Sequence, residues 1–138
     1  MNQQVKEIIR QECIKHNRHL HIPAIYKHFK EHQSDEQMLY AVTNASFPIE
    51  REVFKKLAVA TCNGFYMTYH TELEIKIPVV RVKDRYYHDI ESDKEILVMY
   101  TALYGPRVSY LRPLHDFLSK VNQEKYPNAK QKYKMEMV

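Results

Sequence analysis

The sequence predicts an α+β fold: a curled antiparallel sheet or small β-barrel with about three helices, one N-terminal and one near the C-terminus. Three observations lead there. Short runs rich in tyrosine and β-branched residues fill the middle of the chain, and tight-turn signals separate them. Helical spacing of apolar residues is confined to short segments. The chain has 138 residues, 44% of them hydrophobic, which suits a single domain with a real core.

The elements follow in order. Residues 3–16 read as a helix, with Val5, Ile8, Ile9 and Cys13 on one face and Asn2 able to cap the start. Residues 17–23 end it, so 1–23 reads as a helical extension to a β-rich body over 24–138. A short extended segment at 24–30 and a polar turn at 31–36 precede a strand at 38–43. Pro48, preceded by Ser46 or Phe47, opens an inserted helix over 48–57 whose apolar face is Ile49, Val53, Phe54 and Leu57. Strands at 58–61 and 65–71 flank Asn63-Gly64, a pair that tolerates positive φ in a tight turn. Residues 75–82 form a strand in which Pro78 suggests an edge or bulge, and Lys83-Asp84 turns it back into 85–88. After a loop at 91–94 comes the clearest strand, 96–104, ending at Gly105-Pro106. Pro113 sets the first turn of the last helix, with Leu114, Phe117, Leu118 and Val121 on one face. The tail adds a strand over 131–138.

Composition narrows the function. No apolar run reaches the roughly 18–20 residues of a membrane helix. The N-terminus lacks the apolar stretch of a signal peptide, so a cytoplasmic protein is expected. The net charge of +4 is mild for a nucleic-acid-binding domain. Part of it is a tail in which Lys120, Lys125, Lys130, Lys132 and Lys134 face only Glu124 and Glu136, either a solvated face or an attractor of anions. Cys13 and Cys62 have no metal or redox spacing and read as buried thiols. Only Gly64 and Gly105 are glycines, and no phosphate-binding loop motif is present.

A series of short motifs adds a resemblance. Tyr26-Lys27-His28-Phe29-Lys30, His70-Thr71-Glu72, Tyr100-Thr101-Ala102-Leu103-Tyr104, Leu111-Arg112-Pro113-Leu114 with Phe117, Glu124-Lys125-Tyr126-Pro127 and Gln131-Lys132-Tyr133 follow one another. In that order they resemble the domain of unknown function 1653 family of bacteria and their mobile elements. The chain departs from the pattern at Glu31, where a glycine is usual, at Leu111, where an aromatic is usual, and at the closing Lys134-Met135-Glu136. Extra length falls between Phe29 and His70 and between Glu72 and Leu97, and the first helix lies outside the match. The family's activity is not established, so the resemblance implies no catalytic residue. It allows a bacterial or phage source, and by analogy a counter-defence role.

Candidate site residues fall into three groups. Arg112 reads as the N-cap of the last helix, where an arginine and free backbone N–H groups favour phosphate or carboxylate, and Arg107 lies across the turn. A structural ion pair with Glu72 or Glu136 is the alternative. His70, Thr71 and Glu72 read as polar fingers on a ligand, as an acid/base pair, or as a hydrogen-bonded strand end; no partner nucleophile is marked. Tyr66, Tyr69, Tyr86, Tyr87, Tyr100, Tyr104 and Tyr110 punctuate the β region, suiting either core packing or a flat anionic ligand. Tyr100 and Tyr104, four apart, read as sharing a face. His16, His19 and His21 cluster, but no carboxylate or cysteine completes a metal set.

The resulting expectation is a homo-oligomeric, non-enzymatic binding module for a small anionic ligand such as a nucleotide or nucleotide-derived signal, acting as a sensor or sequestering protein. Its ligand-binding residues are Arg112, Arg107, Tyr104, Tyr100, Tyr110, His70, Thr71 and Glu72, with no catalytic residue, metal or cofactor assigned. The alternatives are a protein–protein adaptor or inhibitor using residues 5–13 or 49–57, a nucleic-acid-binding domain, and an enzyme using His70 and Glu72.

Overall fold

The computed structural model describes residues 3–29, 38–60 and 65–138. Its organising strand is β2 (Leu39–Ile49). One edge of β2 pairs antiparallel with β6 (Leu97–Ala102). The other edge first takes β1 (Ala24–His28) antiparallel, then β5 (Arg85–Asp89) parallel from Ser46 onward. That last pairing closes a ring through β6, β7 (Ser109–Pro113), β3 (Phe65–His70), β4 (Ile75–Val82) and β5 back to β2. The result is a six-stranded mixed barrel, with β2–β5 and β3–β7 parallel and the other neighbours antiparallel. Outside the ring, β1 carries β8 (Met135–Met137) on its free edge. Three helices complete the fold: α1 (Gln3–Lys15), α2 (Arg51–Ala60) and α3 (Leu114–Leu118).

Closure explains the near-continuous apolar run in β6, because both of its faces are covered. Leu97 and Met99 point into the lumen with Ile77, Val79 and Leu111. Val98 and Tyr100 point outward and pack with Val42, Phe47, Leu114, Phe117, Leu118 and the buried Cys13 of α1. Arg18 ties this outer layer together. Its guanidinium donates to the carbonyls of Leu118 (3.1 Å) and Met135 (2.5 Å) and lies 4.2 Å from the Tyr133 ring centroid. Those contacts fix α3 and β8, and with them the tail that walls the groove described below.

Several expected boundaries move. Pro48 lies in β2, paired beside His88, where the ladder tolerates a residue lacking an N–H. The inserted helix therefore starts at Arg51, and it runs through Ala60 where the sequence reads as a strand. Pro113 ends β7 as the N-cap of α3, which stops at Leu118 because Ser119 turns extended. Val121 is buried beyond the helix and pairs its N–H with the Lys132 carbonyl. In the tail, only Met135–Met137 is strand. The Asn2 cap, the polar turn at 31–36, Cys62 and the Asn63-Gly64 turn lie outside the described residues. Among the described residues no helix is long and apolar enough to cross a membrane.

Candidate functional site

The β6–β7 rungs set the site. Val98 opposes Arg112 and Tyr100 opposes Tyr110, all on the outer face of the barrel. Tyr100 and Tyr110 stack at 5.5 Å with 27° between their planes. Tyr40, on the neighbouring β2, meets both edge-on at 5.4 and 6.4 Å. Its hydroxyl shares a 2.7 Å hydrogen bond with that of Tyr104, so Tyr104 joins the cluster although β6 ends at Ala102. Burial pushes the Tyr40, Tyr100 and Tyr110 hydroxyls up from their ordinary pKa, and the bond to Tyr104 adds to the rise at Tyr40. All three stay neutral at physiological pH, as stacking surfaces with hydrogen-bonding tips.

Arg112 is half-sandwiched against this cluster. Its Nε donates to the Tyr100 hydroxyl at 3.0 Å and its Nη1 to Asp116 Oδ2 at 2.6 Å. Asp116 Oδ1 accepts from Lys134 Nζ at 2.5 Å. Burial alone would raise the Asp116 carboxyl, but Lys134 and Arg112 outweigh it and hold the pKa below the usual range. The trio therefore carries two cations on one carboxylate. Among the described residues Arg112 Nη2 has no hydrogen-bond partner.

Two cavities meet at Arg112. One, of about 220 Å³, is lined by His28, Met38, Tyr40, Thr71, Tyr100, Tyr110 and Arg112. The other, of about 410 Å³, shares His28, Thr71 and Arg112 and adds Phe29, Glu72, Asp116, Asn122, Lys125, Tyr126 and Lys134. The first is aromatic and the second is rich in cations. On their common wall the Thr71 hydroxyl is buried without a hydrogen-bond partner, while its backbone N–H is satisfied by the Leu111 carbonyl at 2.9 Å.

The structure thus brings together Arg112, Tyr100, Tyr110, Thr71 and, through Tyr40, Tyr104. Glu72 stands at the cationic end, largely exposed, with a carboxylate oxygen 3.9 Å from His115 Nε2. His70 and Arg107 lie elsewhere. His70 points into the barrel and is fully buried. Its Nδ1 accepts the backbone N–H groups of Glu72 and Leu73, which leaves Nε2 to donate to Asp93 at 2.8 Å. Beside it, His88 donates from Nε2 to the Asp93 carbonyl at 3.1 Å and accepts the Ser46 hydroxyl at Nδ1, 2.7 Å away. This polar plug pins the 90–96 loop under the barrel and does the work of a strand-end anchor. Arg107 is exposed in the β6–β7 loop with a φ of 55°, at the opposite end of β7 from Arg112.

Two expectations about Arg112 are corrected. It is the penultimate residue of β7, since Pro113 takes the cap. Its carboxylate partner is Asp116; Glu136 instead accepts the backbone N–H groups of Lys132 and Tyr133. The sequence does not single out Tyr40 or Asp116, and it offers Lys134 only as one lysine of the basic tail. The four-residue step from Arg112 to Asp116 was the available signal. Nothing local marks Tyr40 or the pairing of Lys134 with Asp116, which arise through long-range contacts. Among the described residues no group of three or more His, Cys, Asp or Glu side chains could share a metal ion.

No curated protein and no solved structure matches the chain. Residues 80–131 do match the family model described as protein of unknown function (DUF1653), so the resemblance read from the motifs holds over the segment that builds β5, β6, β7, α3 and most of the cationic side of the groove.

Proposed function

We propose that the protein is a non-enzymatic binding module for a small anionic ligand with a flat ring, a nucleotide or nucleotide-derived signal, which it senses or sequesters. The observation that carries this reading is the wall shared by the two cavities, where, among the described residues, Arg112 Nη2 and the buried Thr71 hydroxyl have no hydrogen-bond partner. An unsatisfied buried hydroxyl is costly, and a ligand oxygen would satisfy it. The ring would lie among Tyr40, Tyr100 and Tyr110; the anion would face Arg112, Lys125 and Lys134. Native mass spectrometry of the protein drawn gently from cell extract tests this. A discrete small-molecule mass that disappears in Thr71→Val supports it, and a bare mass for both proteins counts against it.

A second reading, a protein–protein adaptor, rests on a different observation. Ile8, Phe47, Ile49, Tyr87, Ile96 and Leu114 line a mostly apolar cavity of about 500 Å³ beside α1, where Ile8 is 51% and Ile14 58% exposed. Loss of a captured partner in Ile8→Asp, with the small-molecule mass unchanged, would favour it.

A further inference from the structure

We propose that the open end of the barrel is a second ligand site, which takes a planar, hydrogen-bonding heterocycle of nucleobase size with its anionic substituent at the rim. A six-stranded barrel normally fills its own lumen with side chains. This one does so only at the end closed by His70, His88 and Asp93, where Ile77, Val79, Leu97 and Leu111 are at most 3% exposed. Toward the other end the inward positions turn small and polar: Thr68 opposes Ile77, Asn44 opposes Met99, and Thr101 and Ser109 face each other on the rung beyond Met99 and Leu111. The consequence is a cavity of about 520 Å³ in which no lining side chain is charged.

The register explains how the mouth is lined. A register shift between Val42 and Asn44 in β2 leaves Thr43 outside the β2–β6 pairing and adds it to the lining. Thr101 and Ser109 share a hydrogen bond of 2.9 Å across β6 and β7, presenting two hydroxyls side by side. Tyr66 and Tyr86 stand across from them with ring centroids 6.4 Å apart. Neutral hydroxyl and amide groups at the edges, with aromatic rings on a flank, recognise the edges and face of an uncharged heterocycle. Charge enters only at the rim. Arg81 is the register partner of Tyr86 and so faces the same side. Its Nε is held by the Lys83 carbonyl at 2.7 Å, while its terminal nitrogens have no partner among the described residues. Arg107, in the loop just past the Thr101–Ser109 rung, adds a second cation at this end.

The inference stands apart from the groove, since Tyr100 and Tyr110 alone are common to the two linings. Isothermal titration with adenosine, guanosine, cytidine, uridine and their 5′-monophosphates tests it on the full chain. The expected result is that at least one nucleoside binds, and that Ser109→Leu and Thr101→Leu, which fill the mouth, each weaken it by about tenfold or more while the melting temperature holds. The monophosphate should bind more tightly than its nucleoside, and Arg81→Gln should remove that advantage. The proposal falls if no nucleoside or monophosphate binds the folded protein. It also falls if both mouth-filling variants bind as the parent does, and binding lost only in Thr71→Val would assign the ligand to the groove instead.

Discussion

Arg112 donates from Nε to the Tyr100 hydroxyl at 3.0 Å, and this bond fastens the groove's cation to its aromatic floor. The sequence alone suggests that Arg112→Ala would abolish binding with little loss of stability. The structure revises the second half. Removing the guanidinium orphans the Tyr100 hydroxyl and leaves Asp116 with Lys134 as its cation. The expected destabilisation in urea unfolding is about 2–4 kcal/mol, near the range for breaking a buried pair. Arg112→Lys should recover most of that stability but little of the ligand affinity, because an ammonium cannot span Tyr100, Asp116 and a ligand anion at once. Equal affinity in Arg112→Lys and the parent would remove the fork from the binding reading.

Phe117 holds the other side of the aromatic layer. It is fully buried, and its ring meets Tyr26 edge-on at 5.0 Å and lies 6.1 Å from Tyr100. Phe117→Ala should destabilise the fold by about 3–5 kcal/mol. The void would sit behind Tyr100, so any variant that remains folded should also bind the groove ligand more weakly. A loss of less than about 1 kcal/mol would mean that the layer repacks around the gap.

How far these relationships could be read in advance depends on their range along the chain. The β6 strand, the Lys83-Asp84 turn and the apolar face Leu114, Phe117 and Leu118 were legible because a few neighbouring residues set each one. The choice between a curled sheet and a closed barrel stayed open, because closure depends on β2 exchanging β1 for β5 along a single edge, and the β2–β5 pairing joins residues about forty apart. The same limit applies to the site. Arg112 and the tyrosines announce themselves by type. Whether His70 faces the groove or the lumen turns on the phase of β3, and a one-residue difference in phase moves a side chain to the other face. Thr71 and His70 are neighbours that ended on opposite sides of the same wall.

The lumen plug should give the protein a pH dependence. Burial pulls the His88 imidazole down to about 4, despite the Asp93 carbonyl that accepts its Nε2–H and the carboxylate nearby; His70 adds a small push in the same downward direction. A histidine held neutral in the fold binds fewer protons than it does unfolded. Its contribution is therefore complete above the unfolded value of about 6.5 and is lost as pH falls from there toward 4. Between pH 7.5 and 4.5 the loss from this group is about 2–3 kcal/mol. Urea unfolding at the two pH values measures it, and His88→Gln should flatten the slope. A slope that His88→Gln leaves unchanged would place the titrating group elsewhere.

Thr71→Val separates binding from folding more cleanly than any change at Arg112. The two side chains are close to isosteric, and the Thr71 hydroxyl makes no hydrogen bond to lose. Its backbone N–H, bonded to the Leu111 carbonyl, is untouched. Burying a methyl group in place of an unsatisfied hydroxyl should leave stability unchanged or raise it by about 1 kcal/mol. If the hydroxyl is there for a ligand, affinity should fall about tenfold in the same variant, so stability and binding move in opposite directions or apart. A residue serving only the fold would show the reverse: a lower melting temperature on substitution and no change in any bound mass. Thermal melts and native mass spectra of one variant therefore decide whether this corner of the barrel wall was shaped by packing or by a ligand.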